Sequence, residues 1–169
     1  NQACIYWDEI KVEKAKYQDD EVKKIDSFKG KLHHGDLMMN STGTGTLGRV
    51  NIFNLEEDFI ADSHVTIIRC KAKSLHYRFL NYLLRTELYQ GYVYNSLVNG
   101  ATNQIELSRE RLINTPIIVP PLVEQEDIIS YINKRLDEIN HLSVSINTQL
   151  DKLREYRQSL IYKAVTGKI

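Results

Sequence analysis

Apolar side chains recur along the C-terminal third of the chain at a spacing that suits a helix with a partner. Pro120-Pro121 launches the segment. Ile132, Leu136, Ile139, Leu142, Ile146, Leu150, Leu153, Tyr156 and Leu160 then follow at steps of 4, 3, 3, 4, 4, 3, 3 and 4 residues, a mean of 3.5. That is the coiled-coil period, so residues 121–169 read as a long spacer or dimerisation helix whose seam another helix closes. A strict heptad alternates 4 and 3, whereas this one repeats a step around Leu142 and again around Leu153, which predicts a locally distorted supercoil. If residues 124–162 are all helical they make a rod of roughly 55 to 60 Å, longer than a head of this size needs for its own core. A long core helix lying across a domain is the other reading of the same pattern.

The 169 residues leave room for one ordinary domain, residues 1–120, ahead of that helix, and 42% hydrophobic with 26% charged is a globular mixture. No basic-then-apolar leader opens the sequence, and no apolar run approaches the ~20 residues of a membrane span, so the default location is cytoplasmic. Cys4 and Cys70 lie far apart without CxxC or Cys/His spacing and read as two reduced thiols. Net charge is zero, with 15 basic and 15 acidic residues before Pro121 and 7 of each from there on, so no whole-chain electrostatic argument for nucleic acid is available. The distribution is less even. Arg69, Lys71, Lys73, Arg78 and Arg85 have no acid among them between Asp62 and Glu87, and Lys23, Lys24, Lys29, Lys31, His33 and His34 surround only Asp26. These are two candidate basic patches on a neutral protein, although a solvated face would look the same.

Residues 21–28, 36–40, 48–53 and 63–70 are short β-branched or aromatic runs bounded by Gly, Asn and Asp, and they predict strands. Ser74 is placed to cap a helix carrying Leu75, Phe79, Leu83 and Val93 that ends before Asn99-Gly100, and a second short helix is expected from Ser108. Pro116 to Val119 reads as a strand-like link into the long helix. The expected fold is α+β: a globular head with a mainly antiparallel sheet and flanking helices, followed by the C-terminal coiled-coil helix.

Catalytic signatures fail on inspection. Gly43-Thr44-Gly45-Thr46-Leu47-Gly48 fits G-x-G-x-x-G, but a dinucleotide site needs a helix N-terminus directly afterwards, and Arg49-Val50-Asn51-Ile52-Phe53 looks like a strand. The kinase version lacks V-A-I-K, H-R-D and D-F-G. The better reading is a hairpin-type loop whose glycines let the backbone turn or approach another molecule. Glu9-Ile10-Lys11 and Glu21-Val22-Lys23 offer only the E-x-K half of a nuclease site, since every proline lies at 116 or later. Val119-Pro120-Pro121-Leu122 lacks the amide and the aromatic that would hold a flipped base. The five histidines show no zinc pair at i, i+4.

Four blocks in order carry a resemblance. Gly35 to Arg49, Asn99-Gly100-Ala101-Thr102-Asn103-Gln104, Pro116-Ile117-Ile118-Val119-Pro120-Pro121-Leu122-Val123-Glu124-Gln125, and Leu153 to Ile161 with Ala164 to Lys168 resemble the specificity subunit of type I restriction-modification systems. The resemblance implies a target recognition domain that reads one half of a bipartite DNA sequence and a helix that sets the distance to the other half. It also implies separate methyltransferase subunits that carry S-adenosylmethionine and methylate adenine at N6, and restriction subunits that use ATP and Mg. The chain itself would hold no cofactor or metal and be non-catalytic, a reader and a ruler.

Family members usually carry two recognition domains and two helices, whereas one of each is present, and Asn1-Gln2-Ala3 opens without the usual leading strands. Two expectations stay open: the C-terminal portion of a full subunit, or a half-subunit that pairs with a copy of itself and reads a palindromic split site. For DNA contact the expected residues are Ser41, Thr42, Thr44, Thr46 and Arg49 in the first loop, Asn99, Thr102, Asn103 and Gln104 in the second, and Lys71 and Lys73 on phosphates. Asn and Gln pair bidentately with adenine and Arg with guanine. The same glycines and Asn99-Gly100 equally fit plain turns. Two rivals from other classes stand beside this reading: a coiled-coil adaptor that binds protein only, and a nucleotide-dependent activity at the glycine loop.

Overall fold

The apolar run Leu37-Met38-Met39 becomes the centre of a three-stranded antiparallel sheet in the computed structural model, which describes residues 1–17, 30–71, 73–100 and 105–168. Strand β1 (Leu37–Asn40) lies between β2 (Val50–Ile52) and β3 (Val65–Ile68), with Met39 opposite Val50 and Asn40 opposite Val65. Successive side chains of a strand point to opposite faces. Leu37 and Met39 therefore join a core with Val50, Leu80, Leu84, Tyr89 and Val93, while Met38 packs with Ile5, Leu32, Phe53 and Val65. Burial on both faces explains why β1 reads as an unbroken apolar run rather than an alternation. The strand expected at 21–28 lies outside the described residues.

One expected helix is two. Helix α1 (Tyr77–Leu84) is capped by His76, whose ring nitrogen accepts from the Arg78 amide at 3.1 Å, and not by Ser74. It stops at Arg85, and the extended Thr86 caps α2 (Glu87–Tyr92), its hydroxyl accepting from the Tyr89 amide at 3.3 Å. Thr followed by Glu is a start signal, and it outweighs the apolar periodicity that runs on to Val93. A widened turn, Val93–Leu97, then leads into the two-stranded hairpin β4 (Val98–Asn99) and β5 (Glu106–Leu107). Ser108 caps the short α3 (Arg109–Ile113) as expected. No strand forms at Pro116 to Val119, because Pro116 in the segment and Pro120 and Pro121 after it cannot donate to a ladder, and among the described residues no strand pairs with the others.

Helix α4 (Leu122–Val165) runs for 44 residues. Its start is anchored by Gln125, which is fully buried. The side-chain oxygen of Gln125 accepts from the His76 amide at 2.8 Å, and its Nε2 donates to the carbonyls of Ser74 at 2.7 Å and Pro120 at 2.8 Å. A neutral amide with one acceptor and two donors is the one small side chain that can satisfy all three backbone groups. The chain divides into two units, Asn1–Glu126 and Asp127–Ile169. The first holds both sheets and the short helices, and the second is the remainder of α4.

Candidate nucleic-acid interface

The glycine loop joins β1 to β2, and its polar side chains mostly satisfy one another. Gly43 opens it at φ +93°, the Thr46 and Leu47 amides donate to the Gly43 carbonyl, and the Gly48 amide donates back to Asn40 at 2.9 Å. The Thr46 hydroxyl donates to the Thr42 carbonyl at 3.1 Å. The Thr42 hydroxyl donates to the Gln2 side-chain oxygen at 3.0 Å and lies 3.0 Å from His64 Nδ1. Ser41 is buried, its hydroxyl 2.6 Å from that of Thr66. Thr44 and Gly45 are exposed at the tip. A strand follows the loop rather than a helix, so no helix dipole faces the glycines.

Strand pairing brings the β4–β5 hairpin, which carries the described part of the second expected contact loop, to the glycine loop. Thr42 bridges to Glu106, and the Leu107 amide donates to the Ser41 carbonyl at 2.8 Å. The β4–β5 hairpin, with exposed Asn99 opposite Glu106, therefore stands beside the glycine loop. Thr102, Asn103 and Gln104 lie outside the described residues. Lys71 and Lys73 are exposed but placed differently. Asn40 pairs with Val65 at the loop end of β1, whereas the two lysines follow Ile68, which pairs with Leu37 at the other end, about 10 Å away along the strand. Arg69, at that same end, is committed to Asp36. Its Nε and terminal nitrogen reach the two carboxylate oxygens at 2.6 Å each, and this buried carboxylate also accepts from the His33 amide. The Asp36 carboxylate beside it pushes the Arg69 guanidinium still higher than its usual range. Arg85 is likewise held by Asp8 at 2.6 Å. The basic run read between 69 and 85 is thus partly spent inside the fold.

A cation cluster that the sequence did not flag adjoins the glycine loop. Ile5 bridges to Ile10, and the Tyr6 amide donates to the Glu9 carbonyl at 3.1 Å, making a tight turn with Trp7 and Asp8 at its tip. The Tyr6 ring is approached by Lys11 Nζ at 4.7 Å, Lys14 Nζ at 4.8 Å and Arg49 Cζ at 5.4 Å. The Arg49 guanidinium also donates to the Gly45 carbonyl at 3.1 Å. Residues 6, 11, 14 and 49 have no shared spacing that could have announced this grouping.

Along α4 the seam residues Leu136, Ile139, Leu142, Ile146, Leu150, Leu153, Tyr156 and Leu160 are all exposed, and Ile132 is half-buried. Among the described residues no group of His, Cys, Asp and Glu is arranged to hold a metal, and no helix is long and apolar enough to cross a membrane.

Among the described residues the chain is thus an α+β head whose glycine loop and β4–β5 hairpin are bridged, followed by a 44-residue helix with an open apolar seam. The chain belongs to the family described as the type I restriction modification DNA specificity domain, whose model matches residues 9–152. That family is the specificity part of type I systems and is non-catalytic. One relative is a Methanocaldococcus jannaschii chain named as the MjaX type I restriction enzyme specificity subunit, 26% identical over 159 residues, which are 93% of this chain and 36% of that one. A solved chain from work on complex assembly and conformational transition of the type I R-M system matches with a TM-score of 0.63 and 21% identity. That match covers 80% of this chain and 32% of the other, and it shows the shared fold. The chain spans about a third of the length of both relatives.

Proposed function

We propose that the head reads one half of a bipartite DNA target and that α4 docks it to its partners. Those partners are a second recognition domain or a second copy of this chain, adenine-N6 methyltransferase subunits that carry S-adenosylmethionine, and restriction subunits that use ATP and Mg. The observation that supports this most directly is the Thr42–Glu106 bridge, which sets the β4–β5 hairpin, with its exposed Asn99, beside the glycine loop. Base readout needs several donors and acceptors presented together, because one bidentate pair contributes only about 1 to 3 kcal/mol of discrimination. Exposed Thr44 and Asn99, with the segment 101–104 between the hairpin strands, are the candidates to reach base edges. Buried Ser41 and the tethered Thr42 and Thr46 hold the loop in shape. Exposed Lys71 and Lys73, away from that centre, are assigned to phosphates, and phosphate contacts position without specifying.

The test is duplex binding by the full chain and by a Thr44→Ala/Asn99→Ala variant, against a panel of split-site duplexes. Loss of preference within the panel is expected. If both affinity and preference stay at wild-type values, the loop assignment is wrong. The exposed seam on a neutral chain also fits a second reading, a coiled-coil adaptor that binds protein only. That adaptor would retain no duplex selectively at ~0.15 M salt, where sequence-specific contacts outlast purely electrostatic ones.

A further inference from the structure

We propose that Tyr6, Lys11, Lys14 and Arg49 form a backbone-phosphate anchor beside the glycine loop, clamping duplex DNA independently of its sequence. This inference rests on the DNA-reading function above and adds a site to it. Three cations converge on one ring from separate parts of the chain. The Val12–Lys14 turn carries Lys14, whose Nζ donates to the Tyr6 hydroxyl at 2.6 Å, and Lys11 leaves the tight turn next to it, its amide donating to Cys4 at 2.8 Å. Arg49 arrives from the glycine loop, and the Asn51 side chain in β2 donates to the Tyr6 carbonyl at 2.9 Å, fixing the turn to the sheet edge.

Glu9 pairs with Lys11 at 3.0 Å, and Glu13 lies near enough to act on the same lysine. Among the described residues no acid pairs with Lys14 or Arg49. The ring face attracts each cation only weakly at an exposed site, so the group is left short of negative charge. The Lys14 ammonium also holds the Tyr6 phenol below its usual range. A phosphate oxygen is the acceptor that such a set of N–H donors fits. Arg49 belongs both to the loop and to the cluster, so a strand of DNA held here passes the loop tip.

Each phosphate neutralised contributes about 0.9 to the slope of log affinity against log salt. For the full chain with a mixed-sequence duplex, Lys11→Ala/Lys14→Ala should lower that slope by about 0.9 to 1.8, the lower bound applying if Glu9 already neutralises Lys11. Affinity for duplexes of unrelated sequence should fall by the same factor. Lys11→Arg/Lys14→Arg should restore the slope. Inorganic phosphate at constant ionic strength should not displace the duplex. A slope unchanged in the double alanine variant while wild type binds would overturn the anchor alone. Displacement by inorganic phosphate would make this a free-anion site and overturn the DNA assignment of the cluster. Wild type failing to bind duplex at low salt would overturn the DNA reading and the anchor with it.

Discussion

At the scale of single residues, Gly48 and Gly45 share a positive φ but not a neighbourhood. Gly48 sits at +84° and a Cβ there would meet Gln90 Oε1 at 2.6 Å, while at Gly45 the space is open. Gln90 cannot simply swing aside, because its Nε2 donates to the carbonyls of Gly48 at 3.1 Å and Leu84 at 2.7 Å. Gly45→Ala should therefore cost about 1 to 2 kcal/mol for the left-handed conformation. Gly48→Ala should cost roughly 1 to 2 kcal/mol more for the displaced hydrogen bonds. Urea unfolding midpoints of the two variants measure the difference, and equal losses would show that Gln90 is not fixed. Tyr89 adds a pH signature. Burial raises its phenol to about 12, with a hydrogen bond to Thr115 working against that rise. The folded state then holds a proton that the unfolded chain releases near pH 10, so stability is complete below pH 10 and falls as pH climbs through about 12. In Tyr89→Phe this alkaline loss should shrink, which chemical unfolding at pH 9 and pH 11 would record.

At the scale of elements, α4 is the part with the least support of its own. Its surface ion pairs, Arg135 with Glu138 at 2.8 Å and Arg154 with Asp151 at 3.0 Å, add little, because water screens exposed charges. Helices draw most of their stability from a buried apolar face, and the seam of this one is exposed. Charge suggests how a partner helix would lie. Residues 122–143 carry five acids against two bases, and residues 144–165 two acids against four bases. An antiparallel neighbour of the same kind sets unlike halves side by side, while a parallel one sets like against like. Ile139→Asp with Leu150→Asp puts charge into the middle of the seam. The assembly on a sizing column should fall to the single chain, and an unchanged elution would remove the pairing role from α4.

At the scale of the whole molecule, the neutral balance gives no overall attractive field, so the proposed DNA binding rests on local groups: the glycine loop and β4–β5 hairpin, Lys71 and Lys73, and the Tyr6 cluster. Deleting the gene in a methylating strain should erase one bipartite N6-methyladenine motif from the genome, as read by direct sequencing. A palindromic motif would point to self-pairing of this chain, a non-palindromic one to two different recognition domains, and no change at all would favour the adaptor. Residue order was enough to reveal the long helix, the strands at 36–40, 48–53 and 63–70, the cap at Ser108 and the family blocks. All of these depend on periodicity, punctuation or motif within a short stretch of chain. It could not reveal that the apolar stripe of Leu75 to Val93 breaks at Thr86, because a cap and a period compete there on nearly equal terms. Nor could it place Lys71 and Lys73 at the far end of β3, seat Arg69 on Asp36, or gather residues 6, 11, 14 and 49 around one ring. Those placements follow from strand register and from contacts between distant segments, and no local pattern encodes which segments will meet.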